Sequence, residues 1–185
     1  DFKEAYEYYF LNKPKGVVTT TNDEKGRKTV IDLIDTTTRI YPVGRLDYDT
    51  TGALILTNDG ELANLLMSPS SNVDKTYVAK VKGIVQIPDL QKLRNGIVID
   101  GIKTKKAKVR LKSVDKKKET SVVILTIHEG KNHQIKKMFE TLGYKVIKLR
   151  REKIDFLDLK GLLPGEYRNL SIKEVKILYS LCKKG

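Results

Sequence analysis

The chain has 185 residues, 39% of them apolar and 32% charged, an ordinary globular mixture long enough for one large domain or two small ones. Its 36 Lys and Arg against 23 Asp and Glu give a net charge of +13, which points to a polyanionic partner, nucleic acid ahead of a membrane surface. A single cysteine, Cys182, excludes an internal disulfide framework and a thiolate metal cluster, and no apolar run is long enough to cross a bilayer or to form a signal peptide.

In chain order, Tyr6–Leu11 is aromatic and apolar enough for a strand, and Asn12–Gly16 breaks it as a turn. Val17–Thr21 resumes as β. Thr29–Ile34 suits a short helix, and Ile40–Val43 leads into the polar loop Gly44–Gly52. Ala53–Leu56 reads as a buried strand, Thr57–Gly60 as a turn, and Glu61–Met67 as a helix stopped before Pro69. Lys75–Val81 alternates, with Tyr77, Ala79 and Val81 on one face and Thr76, Val78 and Lys80 on the other. Pro88–Arg94 is a short helix with proline in its first turn. Ile97–Ile99, Ala107–Val114 and Ser121–Ile127 are strands, the last two joined by the charged tip Asp115–Glu119.

Asn132–Leu142 is the clearest helix, because Ile135, Met138, Phe139 and Leu142 follow the 3, 4, 7 spacing and Gly143 ends it. Tyr144–Leu149 is a strand, and Ile172–Leu181 a closing helix. Several strand pairs lack room for a crossover helix, which weakens a parallel doubly wound alternative. The expected fold is therefore α+β, a largely antiparallel or mixed sheet with flanking short helices, in two closely joined lobes meeting near residues 82–90.

The charge is uneven. Lys103–Lys118 and Lys131–Lys153 are strongly basic, whereas Gly44–Glu61 sets Arg45 against Asp47, Asp49, Asp59 and Glu61. An acidic cluster inside a protein that binds a polyanion is either remote from the binding groove or has a specific task. Asp47 and Asp49, two residues apart and bracketed by glycines, fit a general acid/base pair, part of a divalent metal site, a lone nucleophile with its organiser, or simple turn capping. Tyr77 suits stacking on a splayed base, or a core position. Glu129–Met138 sets amide and basic side chains at a helix start, where free N–H groups favour a phosphate or a carboxylate. Nucleotide-cofactor loops are absent, and two histidines with one cysteine argue against a zinc deaminase site.

Taken together, these motifs resemble the pseudouridine synthases of the RsuA/RluB/RluE/RluF type, which isomerise uridine in ribosomal RNA. Leu11–Gly16 is similar to the family's first motif, Gly44–Gly52 followed by Leu54–Gly60 to its catalytic motif, Lys75–Tyr77 to the next, and Glu129–Met138 to a further one. Val146–Arg151 also resembles the family, and the resemblance runs through nearly all of residues 1–185. It implies the family's catalytic fold and no cofactor or metal. It implies Asp47 as catalytic nucleophile and Tyr77 as the tyrosine that stacks on the target base and is a candidate base for the C5 proton. Lys136 stands where the family usually carries an arginine that pairs with the aspartate, a point charge in place of a planar fork. Lys13, Lys15 and Arg45 resemble residues lining the RNA and active-site cleft. Asn132, His133 and Gln134 resemble motif residues at the helix start, and Lys137 is a further RNA-contact candidate.

The stretch Gly143–Arg151, with Phe156–Leu159 and Leu162–Arg168, is closer to the RluB-like large-subunit branch than to the small-subunit RsuA branch. The implied partner is ribosomal RNA or an assembling ribosomal particle, with no membrane, for a cytoplasmic bacterial monomer. The family usually carries a small S4-type RNA-binding domain upstream. This sequence opens almost directly at the catalytic part and without Met, so the expectation is a truncated chain lacking that domain. From other classes, a catalytically silent RNA-binding protein, or a glycosidase or metal-dependent nuclease using Asp47 and Asp49, would account for parts of the pattern.

Overall fold

The computed structural model describes residues 5–130 and 133–183. In chain order the elements are β1 (Tyr8–Lys13), a 3-10 turn (Val30–Leu33), β2 (Tyr41–Pro42), β3 (Thr51–Thr57), α1 (Gly60–Met67), β4 (Lys75–Lys82) and α2 (Ile87–Asn95). These are followed by β5 (Val98–Ile99), β6 (Ile102–Lys103), β7 (Lys108–Asp115), β8 (Thr120–Ile127), α3 (Gln134–Thr141), β9 (Lys145–Ile154), β10 (Leu157–Asp158), β11 (Tyr167–Asn169) and α4 (Ile172–Lys183). Among the described residues, no helix is long and apolar enough to cross a membrane.

The chain divides into two compact units, residues 1–73 with 156–185, and residues 74–155. The expected junction near residues 82–90 is corrected by this division. Those residues lie inside the second unit, where Val85 and Leu90 join its core and the Val85 N–H donates to Ser121 Oγ at 3.0 Å.

In the first unit β1 runs antiparallel to β3 on one side and to β11 on the other, and β2 pairs with β3. Phe10 and Leu11, and Ala53 through Leu56, are all buried. Both faces of these strands are covered, which is why they read as continuous apolar runs and not as alternation. One face packs Tyr9, Leu11, Leu54 and Leu56 against Val17, Val30, Ile34, Ile40 and Leu46.

At the N-terminus of α1, Asp59 accepts the Leu62 N–H at 3.1 Å and the hydroxyls of Tyr8 and Tyr179 at 2.6 and 2.7 Å. Burial works to raise the Asp59 pKa, but these hydrogen bonds outweigh it and hold the carboxyl below its ordinary value. α4 opens on a reciprocal cap: Glu174 N–H donates to Ser171 Oγ, and Ser171 N–H donates to Glu174 Oε1. Arg168 grips the same carboxylate with two bonds of 2.9 Å, and the Glu174 pKa falls from 4.5 to about 2, chiefly through that pairing.

Strand β1 corrects the sequence reading. It continues through Asn12 and Lys13, which pair with Ala53 and Gly52, so the turn begins only at Pro14. Val17–Thr21 forms no strand; a single bridge, Val18 to Thr29, stands in its place.

The second unit holds an antiparallel sheet in the order β9-β4-β8-β7. Tyr77, Ala79 and Val81 face the core with Val109, Val123, Leu125, Ile127 and Leu149, and α2 and α3 supply Leu90, Leu93, Ile135, Met138 and Phe139. This is the face that the alternation of residues 75–81 predicts. β9 extends to Ile154, beyond the expected end at Leu149. Its charged stretch Arg150–Lys153 stays in the ladder because β4 pairs with it out to Lys75, across a bulge between Thr76 and Tyr77. β5 and β6 form a small hairpin whose turn, Asp100-Gly101, has φ of 50° and 80°, the geometry that Asp-Gly favours.

Candidate active site

Asp47 sits in the loop between β2 and β3, and the loop's shape is set by bonds to its backbone. The Asp47 carbonyl accepts the Thr50 N–H at 3.0 Å, closing a turn over residues 47–50. The Tyr48 carbonyl accepts the Gly16 N–H at 3.0 Å. Gly16 has a φ of 82°, a conformation that suits glycine. Thr19 Oγ1 donates to the Leu46 carbonyl at 2.8 Å and accepts the Leu46 N–H at 3.3 Å. One hydroxyl thus satisfies both backbone groups of the residue before Asp47. Arg27 stacks over the Tyr48 ring at 5.7 Å.

Lys13 is the centre of this scaffold. Its side chain is fully buried, and Nζ donates to the carbonyls of Pro14, Tyr48 and Thr50 at 3.0, 3.3 and 2.8 Å. Burial pushes its pKa from 10.5 down to about 8, against the opposing pull of the Asp49 and Asp47 carboxylates. The expectation that Lys13 contacts RNA is therefore corrected: with 0% of its surface accessible, it braces the Asp47 loop from within. Asp47 is half-buried, while Lys15, Arg45, Tyr48 and Asp49 are exposed. The arrangement holds one carboxylate on a hydrogen-bonded turn with a buried cation behind it, a setting in which a carboxylate can serve as a positioned nucleophile.

In the second unit, Tyr77 is 9% exposed on β4, and its hydroxyl makes no hydrogen bond among the described residues. His133 precedes α3 in the left-handed region at φ 54°, and its carbonyl accepts the Lys137 N–H at 3.0 Å. Gln134 is buried with its amide against Met138 Sδ at 3.7 Å, in the first turn of α3. Lys136 is half-buried on α3. Lys137 forms an ion pair with Asp100 at 2.9 Å. Asn132 lies outside the described residues, as does the start of the helix expected from Asn132.

Sequence reasoning missed Thr19, Thr50 and Lys75. Thr50 Oγ1 is buried and has no hydrogen-bond partner among the described residues. Lys75 Nζ lies 3.1 Å from where a Cβ on Gly130 would stand, and burial lowers its pKa, with Arg151 adding to the effect. A threonine in a β-like stretch gives no sign that its hydroxyl reaches a residue 27 positions away. Among the described residues no group of three or more His, Cys, Asp or Glu side chains is arranged to hold a metal ion.

Residues 7–141 match the family described as RNA pseudouridylate synthase. The chain belongs to the RNA pseudouridylate synthase family. Its reaction is accordingly an isomerisation of uridine to pseudouridine in RNA. It is 53% identical over 184 residues to a Bacillus subtilis protein named ribosomal large subunit pseudouridine synthase B, covering 99% of this chain and 75% of that one. It is 36% identical over 171 residues to the Escherichia coli dual-specificity RNA pseudouridine synthase RluF, covering 92% of this chain and 57% of the other. A solved pseudouridylate synthase superposes with a TM-score of 0.84 at 36% identity, over 96% of this chain and 75% of that one. The fold extends to the archaeal box H/ACA sRNP Nop10-Cbf5 complex, with a TM-score of 0.62 at 17% identity over 82% of this chain and 49% of the other.

Proposed function

We propose that this synthase modifies one uridine of large-subunit ribosomal RNA, with Asp47 as its nucleophile. The observation that carries the proposal is the 53% identity, over 99% of the chain, to the Bacillus subtilis protein whose name specifies the large subunit. The braced turn around Asp47 supports the role of that residue.

The target uridine leaves its stack to expose C1′ and C5. Asp47 attacks C1′, or assists loss of a ribose proton, and the N1–C1′ bond breaks. The uracil rotates in place and C5 bonds to C1′, displacing the Asp47 carboxylate in the first case and with return of the ribose proton in the second; the C5 proton leaves to a base and N1 gains a proton. Tyr77 stacks on the base and is the candidate acceptor of the C5 proton. Lys136 supplies positive charge to the reacting carboxylate. Lys15, Arg45 and His133, all exposed, and half-buried Lys137 lie against the RNA, as does Asn132. The enzyme works as a cytoplasmic monomer on ribosomal RNA or on an assembling particle.

The test is tritium release from RNA carrying 5-³H-uridine, offered as large- and small-subunit transcripts, with Asp47→Asn as control. Release from the large-subunit transcript alone, lost in the variant, is the expected result. Release from the small-subunit transcript alone would overturn the substrate. Release undiminished by Asp47→Asn would overturn the nucleophile.

A further inference from the structure

We infer that the outward face of the β9-β4-β8-β7 sheet docks a double-stranded RNA stem along its minor groove, outside the catalytic residues. This deepens the synthase reading and rests on it for the presence of RNA.

The cross-strand register assembles the face in rows. Lys108, Thr126, Thr76 and Lys153 form one row; Arg110, Ile124, Val78 and Arg150 form the next; Val122, Lys80 and Lys148 form a third. These side chains point away from the core face occupied by Tyr77, Ala79 and Val81. The first two rows thus begin and end on cations, with a neutral middle. Lys108, Arg110, Lys148 and Arg150 are exposed, and the residues between them are partly exposed although they sit mid-sheet, so among the described residues no element seals this face. Arg150 pairs with Glu152 at 3.0 Å, whereas among the described residues Lys80, Lys108, Arg110 and Lys148 join no ion pair. Elsewhere Arg27, Lys92, Lys137 and Arg168 each have a carboxylate partner.

Three inter-strand spacings separate the two cation lines by roughly 14 Å, and cations two apart on one strand stand roughly 7 Å from each other. Two lines of positive charge flanking a floor that is neutral across the first two rows match two phosphate strands flanking the wide, shallow minor groove of A-form RNA. In the first two rows the floor consists of threonine, valine and isoleucine, and Lys80 enters it in the third. It has no aromatic ring on which splayed bases could stack, so it disfavours a single strand. The Thr76 and Thr126 hydroxyls lie 3.1 Å apart in the row that joins Lys108 to Lys153. They are placed to meet the 2′-hydroxyls that line that groove, which distinguish RNA from DNA.

Binding of this chain to three probes tests the proposal: an RNA duplex of about 16 base pairs without a target site, its single strand, and the DNA duplex of the same sequence. The RNA duplex is expected to bind tightest. The triple variant Lys108→Gln, Arg110→Gln, Lys148→Gln should weaken duplex binding at least tenfold and make the slope of log affinity against log salt shallower by about 3. Thr126→Val should erase most of the preference for RNA over DNA. Both variants should keep wild-type kcat for tritium release at saturating substrate, with a higher KM for stem-containing RNA in the triple variant.

Equal binding of single strand and duplex would overturn the proposal. So would a wild-type salt slope in the triple variant, which would leave the face to an acidic protein surface. Failure of the wild-type chain to release tritium would count against the synthase reading alone, because duplex binding is read without turnover.

Discussion

Replacing Lys13 with methionine tests whether the Asp47 loop is held from behind by a buried charge. Methionine keeps most of the side chain's volume and removes its donors. The Tyr48 carbonyl retains the Gly16 N–H, so the loss falls on the bonds to Thr50 and Pro14 at 2.8 and 3.0 Å. At about 1.5–3 kcal/mol each, these charged bonds are worth about 3–6 kcal/mol. Against this stands relief of the buried charge: a pKa lowered from 10.5 to about 8 corresponds to about 3 kcal/mol at neutral pH. Lys13→Met should therefore be folded and only about 0–3 kcal/mol less stable. Its turnover should fall about a hundredfold, since a displacement near 1 Å at a reacting group costs that much.

The pH dependence supplies an independent sign. Between about pH 8 and 10.5 the unfolded chain holds a proton on Lys13 that the folded chain has released, so wild-type stability gains from this residue as pH rises through that window. The deficit of the variant should grow from pH 7 to pH 10, read by urea denaturation at each pH alongside single-turnover tritium release. Wild-type turnover together with a deficit that does not change with pH would refute the bracing role.

Three further outcomes are expected. Thr19→Val leaves both backbone groups of Leu46 without the hydroxyl that serves them, and should cost about 1–3 kcal/mol in urea denaturation together with a fall in kcat. Glu174 contributes stability that is fully present above pH 4.5 and is lost as pH falls toward about 2, so the melting temperature of Glu174→Gln should be lower at pH 6 and should converge on wild type in that acid range. Gly96→Ala should destabilise by more than 2 kcal/mol in the same denaturation assay, because its Cβ would stand 2.3 Å from the Thr104 carbonyl oxygen at a φ of 109°.

The parts of this structure legible in the sequence are those set by neighbours a few residues apart. The apolar stripe Ile135, Met138 and Phe139 announces α3, and the alternation at Tyr77, Ala79 and Val81 announces which face of β4 is buried. The Gly44–Gly52 loop stands out for its carboxylates beside an apolar run. Lys13 departs from expectation because a lysine next to proline and close to glycine reads as surface turn. What buries it is a set of carbonyls reaching to residue 50, 37 positions on. The same limit hid the far half of β9, where Arg150–Lys153 is strand only because β4 pairs with it. The division into units was misplaced because the first unit is closed by residues 156–185, and no local pattern reports such a return.

That return orders the chain's synthesis. Asn12 at the end of β1 has its N–H on the Glu166 carbonyl and its side-chain amide on the Leu162 carbonyl, 150 residues later. Residues 74–155 are continuous and are complete in themselves once the ribosome has passed them. The strands that flank Asp47 wait longer: at about 5–20 residues per second, roughly 5–20 seconds separate residue 73 from the last turn of α4 at Lys183. Throughout that interval the apolar runs Tyr9–Leu11 and Ala53–Leu56 are without β11 and α4. The Asp47 loop is thus enclosed only after the continuous unit 74–155 has been made.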